Sequence, residues 1–175
     1  EFLSLIPGSS GATPVQNVGA YGAEISDVLV SLRAYDQKEG DFVEILNKDC
    51  AFGYRTSRFK TTDSGRYLIT EITLKLSKEN PLPPFYDSLQ NYLSDKNISE
   101  YTPKIIRSAV IDIRSSKLPD PAKTANNGSF FANPIVEISQ YDELVKEYPD
   151  IKAWDYKGKK KLAAGWLVEK AGFND

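Results

Sequence analysis

The chain has 175 residues, of which 41% are hydrophobic and 26% charged, and its 22 basic and 24 acidic side chains give a formal net charge of -2. Such a composition is typical of a globular protein with one domain or parts of two, and the lack of a basic excess argues against nucleic acid as the main partner. With no histidine and one cysteine, the sequence offers no Ser-His-Asp triad, no zinc site and no internal disulfide.

No apolar run is long enough to span a membrane, and no signal peptide is visible, so a cytoplasmic location is predicted. The single cysteine fits a reducing compartment. The chain contains no methionine and begins at Glu1, from which we expect processing or truncation.

The first part of the chain is predicted to form strands. Val28–Tyr35 and Tyr67–Leu76 are rich in β-branched and aromatic residues, and Phe42–Leu46 is a shorter candidate. The polar segment 37–41 predicts a hairpin between the first two strands in chain order, Val28–Tyr35 and Phe42–Leu46. The residues of the Tyr67–Leu76 strand that alternation assigns to the core are Leu68, Thr70, Ile72, Leu74 and Leu76.

A helix is predicted after the proline-rich boundary Asn80–Pro84, which cannot continue a strand. It begins with Thr102 as N-cap and Pro103 in the first helical position, and ends near Arg114. Its predicted buried stripe comprises Ile105, Ile106, Ala109, Val110 and Ile113.

The last part of the chain opens with Lys117–Pro121, which is predicted to stop the helix and begin a long loop. Short helices are predicted over Gln140–Glu147 and Ala163–Lys170, and the basic cluster Lys157–Lys161 is interpreted as a solvated turn. Strands followed by helices and loops predict an α+β fold with a subdomain change near Lys117.

The first segment that could carry chemistry is Ile6–Gly22, where glycines lie among small residues. Such backbone can approach a ligand closely and aim N–H groups at a pyrophosphate. The competing interpretation is a flexible surface loop, since the segment matches neither a Walker loop nor a Rossmann fingerprint.

Two further segments combine reactive and anchoring side chains. Phe52–Lys60 places an arginine beside a tyrosine, a pair that can hold a carboxylate or phosphate, although a solvated basic edge explains it equally well. Lys117–Pro134 is a long loop that exposes Ser129 as a potential proton donor, with Phe130 and Phe131 predicted to anchor it to a core. A well-packed structural loop is the alternative.

The order and wording of these segments resemble a known family, the bacterial UDP-N-acetylenolpyruvoylglucosamine reductases (MurB). The similarity runs from about Glu1 to about Phe173. The blocks that carry it are IPGSSGATPVQNVGAYG, FGYRTSRFK, RSSKLPDP, NNGSFFANP and KLAAGWLVEKAG.

The resemblance implies an FAD-dependent enzyme of peptidoglycan precursor synthesis. NADPH reduces the flavin, which passes hydride to UDP-N-acetylglucosamine enolpyruvate and yields UDP-N-acetylmuramate. It also implies that residues 1–116 are part of an FAD-binding subdomain of the vanillyl-alcohol-oxidase-like (PCMH-type) fold. Residues 117–175 would be part of an α+β substrate-binding subdomain.

The resemblance also assigns roles to individual residues. Arg55 would bind the enolpyruvyl carboxylate and stabilise the developing charge, beside the substrate contact Tyr54, and Ser129 would protonate the substrate carbon. The FAD contacts it implies are Gly8, Gly11, Ala12, Thr13, Val15 and Gly19.

Further substrate contacts follow in the same way. Lys117 matches the diphosphate-binding lysine, and Asn133 another substrate contact. Tyr86 resembles the mobile tyrosine of the subtype with a tyrosine loop, and would cover the UDP moiety. Trp154 stands about where a uridine-stacking tyrosine occurs, with Tyr156 as a competitor.

Relative to that family we expect two segments to be missing, an N-terminal pyrophosphate-binding loop and a C-terminal segment with a catalytic glutamate. The 175-residue chain is therefore expected to lack reductase activity and to bind FAD weakly at best. The alternatives are another flavoenzyme of the same fold and a non-catalytic sugar-nucleotide-binding relative.

Overall fold

The computed structural model describes residues 1–120, 122–125 and 129–173. The chain divides into two compact units, Glu1–Lys123 and Thr124–Asp175. In the described ranges, no helix is long and apolar enough to cross a membrane, and no cluster of three or more His, Cys, Asp or Glu side chains could hold a metal ion.

The first unit contains a small hairpin and a three-stranded sheet, both antiparallel. The strands are β1 (Gly19–Ala20), β2 (Ala23–Glu24), β3 (Leu29–Asp36), β4 (Asp41–Leu46) and β5 (Tyr67–Leu74). The three-stranded sheet has the order β4-β3-β5 and confirms its three predicted strands and the predicted β3–β4 hairpin.

β5 contacts the core of the sheet through residues other than those predicted. Tyr67, Ile69 and Ile72 are partly buried against that core. A shift in the pairing with β3 leaves Thr70 as an extra residue, and this β-bulge changes the phase of the alternation between the two faces. The prediction is therefore wrong at the exposed residues Leu68 and Thr70, whereas Ile72 lies on the predicted face. It is also wrong at Leu74 and Leu76, which are exposed where the strand ends at Leu74.

Two helices, α1 (Asp87–Asp95) and α2 (Pro103–Lys117), form the other core of this unit. The Thr102 side chain accepts a hydrogen bond from a backbone N–H of the first turn of α2, as predicted. α2 runs three residues beyond its predicted end, and α1 is a helix that the sequence analysis did not predict. The buried side chains from the two helices are Leu89, Leu93, Ile106, Ala109, Val110 and Ile113, while Ile105 is half-buried.

The second unit packs two helices, both predicted, against a three-stranded antiparallel sheet. The elements are β6 (Ile135–Val136), α3 (Ile138–Glu147), β7 (Ala153–Tyr156), β8 (Lys159–Leu162) and α4 (Ala164–Lys170), and the strand order is β6-β8-β7. The buried residues of this unit are Ile151, Leu162, Ala164 and Trp166.

The basic cluster Lys157–Lys161 is a turn only at its start. Lys157 and Gly158 form a two-residue loop with φ values of 47° and 77°, as in a type I′ hairpin. The prediction is wrong for the remaining lysines, which belong to β8. The sequence of β8 shows no alternation of apolar and polar residues, because lysine can occupy either face of a strand by packing its aliphatic stem.

Candidate functional site

The glycine-rich segment is wound by its own backbone hydrogen bonds. A 3₁₀ turn spans Ser10–Ala12, and the N–H groups of Ala12, Thr13, Val15 and Val18 all donate to carbonyls within the segment at 3.0–3.2 Å. These N–H groups are therefore engaged, so any contact that the residues make with a ligand uses side chains or carbonyl oxygens.

The glycines of this segment are required for different reasons. A Cβ atom on Gly11 would lie 2.7 Å from the carbonyl oxygen of Ile69, and one on Gly19 would lie 3.1 Å from Nη1 of Arg55. Both glycines are thus needed for packing within the unit. Gly8 and Gly22 have φ values of +115° and +85° with nothing within 4 Å of their Cβ positions, so the backbone at these two glycines faces open space.

Arg55 lies at the tip of a tight turn closed by two hydrogen bonds between Gly53 and Thr56, at 3.1 and 3.2 Å. Its φ is 55°, and its Nη2 donates to the carbonyl oxygen of Gly19 at 2.6 Å. The guanidinium carbon lies 5.0 Å from the ring centroid of Tyr54. One side of the guanidinium group is therefore fixed against the β1–β2 hairpin.

Buried polar side chains hold this turn against the glycine-rich segment. Asn17 is 1% exposed, and its Nδ2 donates to a carboxylate oxygen of Glu24 at 2.8 Å and to the carbonyl oxygen of Gly53 at 3.1 Å. The buried Ser57 hydroxyl donates to the carbonyl oxygen of Val15 at 2.7 Å. The two motifs predicted separately thus form one hydrogen-bonded assembly.

Tyr86 immediately precedes α1 and is 42% exposed. Burial raises the pKa of its hydroxyl, and the neighbouring Asp87 and Tyr54 raise it further. Burial also raises the pKa of Tyr21, an effect that the nearby Arg114 opposes. The predicted residues Tyr54, Arg55 and Tyr86 thus lie in one region of the first unit.

Tyr21 and Arg114 were missed as site residues. In the described part of the chain, Nε of Arg114 is buried without a hydrogen-bond partner. Arg114 stands three residues before Lys117, the exposed last residue of α2, so the two cations share one side of the helix. The three-residue spacing of these two cations at the end of a predicted helix was the sequence signal that could have identified Arg114.

The loop that carries Ser129 differs from the expectation. Ser129 is exposed, and Phe130 and Phe131 are 87% and 60% exposed, so the prediction that they anchor the loop to a core is wrong. Their rings instead contact each other edge-to-face at 4.9 Å. Pro121 and residues 126–128 of this loop lie outside the described residues.

Asn133 contributes to the local fold of the second unit. Its Oδ1 accepts the backbone N–H of Ala164 at 2.9 Å, at the first residue of α4. This capping bond satisfies a donor that an isolated helix leaves unpaired. The amide oxygen of this predicted substrate contact is thus already engaged.

Trp154 and Tyr156 lie on the same face of β7, since side chains alternate along a strand. Ala153 packs against the core of the second unit, so the two aromatic rings face away from it. Nζ of Lys161 lies 5.9 Å from the Trp154 ring centroid and 5.4 Å from that of Tyr156. Trp154 and Tyr156 therefore lie side by side with a cation near both, and both stay predicted alternatives for stacking on a uridine.

Comparisons with known proteins identify what the chain is similar to. It is 44% identical over 173 residues to the UDP-N-acetylenolpyruvoylglucosamine reductase of Bdellovibrio bacteriovorus and 46% identical over 174 residues to that of Pseudomonas syringae pv. tomato. Each match covers 99% of this chain and 51% of the relative. The chain therefore spans about half the length of the curated relatives it matches, and the predicted resemblance is confirmed.

A solved structure, the UDP-N-acetylenolpyruvylglucosamine reductase (MurB) from Thermus caldophilus, has a TM-score of 0.57 and 20% sequence identity to the chain. The match covers 99% of this chain and 45% of that one, and supports the α+β fold. No protein-family model matches the chain.

Proposed function

Because the chain is homologous to UDP-N-acetylenolpyruvoylglucosamine reductases over the half of their length that it spans, we propose that the protein carrying it is such a reductase. The reaction is the reduction of UDP-N-acetylglucosamine enolpyruvate to UDP-N-acetylmuramate with NADPH, in peptidoglycan precursor synthesis. The structural observation that supports it best is the fixed position of Arg55 beside Tyr54, near Tyr86.

The glycine-rich segment is proposed to lie along FAD, which when bound supplies the hydride. The open space at Gly8 and the exposed Ala12 fit a ligand that approaches the main chain. Thr13 and Val15 would contact it through atoms other than their engaged N–H groups. Gly11 and Gly19 would keep the segment in shape, because a side chain at either position meets the protein itself.

Arg55 is proposed to bind the substrate carboxylate. A guanidinium group can pair with a carboxylate through two parallel hydrogen bonds, and its fixed charge stabilises negative charge that develops on the substrate as hydride arrives. The bond to Gly19 holds the group in place before the substrate binds. Tyr54, whose ring stacks near the guanidinium, would add a further contact.

Binding of the nucleotide is assigned to side chains that are exposed or half-buried. The ammonium group of Lys117 at the end of α2 would pair with the diphosphate, and Tyr86 would cover the UDP moiety. Trp154 or Tyr156 would stack on the uracil ring, with the cation of Lys161 beside both.

Ser129 is proposed to complete the reduction. Its hydroxyl would give its proton to the substrate carbon that does not receive the hydride, so that one C–H bond forms as the O–H bond breaks. The exposure of Ser129 leaves the hydroxyl accessible to a substrate. Asn133 would contact the substrate through its amide nitrogen, since its oxygen caps α4.

The non-catalytic alternative is a sugar-nucleotide-binding protein. Tyr54, Arg55 and Lys117 would suffice to hold a carboxylate and a diphosphate without any turnover. Binding alone therefore cannot separate the two functions, and the deciding experiment has to follow the reaction.

The experiment measures NADPH oxidation by the complete protein that contains this sequence, with and without UDP-N-acetylglucosamine enolpyruvate. We expect oxidation that depends on the substrate, and a product heavier than the substrate by two hydrogen atoms in mass spectrometry. Nucleotide binding by a folded, flavin-loaded protein that shows no such oxidation would instead favour the non-catalytic alternative.

A further inference from the structure

Tyr21 occupies an unfavourable position in the β1–β2 hairpin. It forms the two-residue loop with Gly22, and their φ values are 53° and 85°, as in a type I′ turn. The first position of this turn favours Asn, Asp or Gly, because other side chains are strained at positive φ. A tyrosine in that place suggests that its ring serves a purpose outside the turn.

The ring of Tyr21 contacts the ring of Tyr86. Their centroids are 6.1 Å apart and their planes meet at 85°, the edge-to-face geometry that aromatic pairs prefer. Tyr86 is 42% exposed and stands directly before α1. The contact with Tyr21 therefore restrains a ring that otherwise borders solvent.

Tyr21 is itself well anchored. It packs against the buried core formed by α1 and α2, and the charge of Arg114 on α2 lies near its hydroxyl. Two residues earlier in the same hairpin, Gly19 accepts the hydrogen bond from Arg55. The hairpin thus connects the two side chains, Arg55 and Tyr86, that have proposed roles at opposite ends of the substrate.

We propose that Tyr21 is a positioning residue that holds the Tyr86 ring ready to cover the nucleotide. The inference rests on the proposed function, since the role of Tyr86 does so. A ring already in place loses less freedom when the substrate binds, so the contact improves substrate affinity. The nucleotide lies far from the reacting carbon, so Tyr21 lowers KM and leaves kcat nearly unchanged.

The test replaces Tyr21 with Asn, which relieves the backbone strain while it removes the ring. In the complete reductase, Tyr21→Asn is expected to raise KM for UDP-N-acetylglucosamine enolpyruvate about threefold to tenfold, with kcat within about twofold of wild type. Tyr21→Phe keeps the edge-to-face contact and should behave as wild type. Because Tyr21→Asn also removes the packing of the ring against the α1–α2 core, urea unfolding is measured on the same variants. A raised KM with an unchanged kcat in a variant that is fully folded under the assay conditions separates positioning from a weakened fold.

A double-mutant cycle isolates the contact. In a Tyr86→Leu background, Tyr21→Asn should change KM no further, because the ring that it positions is already absent. An unchanged KM in Tyr21→Asn, or the same increase in both backgrounds, would overturn the proposal.

A second readout does not depend on turnover. In the 175-residue chain, nitration of Tyr86 by tetranitromethane, mapped by peptide mass spectrometry, should be faster in Tyr21→Asn than in wild type and unchanged in Tyr21→Phe. Equal nitration rates in wild type and Tyr21→Asn would refute the positioning role. An absence of substrate turnover by the wild-type reductase would refute the proposed function, which keeps the two failures distinguishable.

Discussion

The two units place their candidate site residues in different ways. In the first unit, Arg55 is fixed by a hydrogen bond to Gly19, and the buried Asn17 connects the glycine-rich segment to the turn that carries Arg55. In the second unit, Ser129 and Phe130 are exposed. In the first unit, the fold itself therefore holds the candidate site residues in position. The position of an exposed side chain such as Ser129 depends more on contacts with the bound substrate.

Among substitutions that test this difference between the units, Asn17→Ala is expected to have the largest effect on stability. The change leaves buried partners without their hydrogen bonds and puts alanine at a φ of 47°, so the free energy of unfolding should fall by about 3 kcal/mol. Urea unfolding followed by far-UV circular dichroism measures it. The exposed neighbour offers the control Gln16→Ala, and a loss no larger than that of the control would show that Asn17 does not hold the segment together.

Gly11→Ala should have the next largest effect. Its Cβ would lie 2.7 Å from a backbone oxygen that cannot move aside easily, so we expect a loss of about 2 kcal/mol in unfolding free energy. Gly8→Ala meets open space and only strains the backbone, with a loss of about 1 kcal/mol. The same denaturation experiment compares them. The reverse order would mean that the segment packs differently against β5.

Acid should weaken the first unit more than the second. Arg66 donates hydrogen bonds to the buried carboxylate of Asp36 and holds its pKa at about 2, below the usual 3.8. A lowered folded-state pKa gives stability that is present above about pH 4 and is lost as the pH falls toward 2. Asp36→Asn should flatten the dependence of the urea midpoint on pH in this range, whereas Glu79→Gln, in an exposed loop, should leave it unchanged.

The carboxylates paired with lysine in the second unit are more exposed, and such pairs add little stability. The exposed fractions are 58% for Glu137, 88% for Asp155 and 61% for Asp150. A first-unit transition with no pH dependence between 4 and 2 would contradict the role given to Asp36.

The smallest effect is predicted for Phe130→Ser, because the side chain is 87% exposed. The unfolding free energy should change by less than about 0.5 kcal/mol. Leu162→Ala in the core of the same unit should lose about 3 kcal/mol. Tryptophan fluorescence reports on this unit, since Trp154 and Trp166 both belong to it. A large loss in Phe130→Ser would restore the prediction that the phenylalanine anchors the loop.

Local patterns in the sequence were enough to predict β3, β4 and β5 and the capped start of α2, but not the two-residue strands β1 and β2. They could not give the face of β5, because the bulge at Thr70 depends on pairing with a distant strand. The site motifs were recognisable, but the role of Asn17 was not, since its partners include Gly53, 36 residues away. Whether Phe130 is buried could not be predicted either, because an aromatic side chain favours burial but does not establish it.

The most direct test of the proposed function uses Ser129→Ala in the complete reductase, with Ser139→Ala on the exposed side of α3 as the matched control. The measurement is NADPH oxidation that depends on UDP-N-acetylglucosamine enolpyruvate. We expect Ser129→Ala to lose substrate-dependent oxidation by roughly 100-fold or more, while Ser139→Ala behaves as wild type. Full turnover by Ser129→Ala would contradict the assignment of the proton donor, and no turnover by the folded, flavin-loaded wild type would contradict the reductase itself.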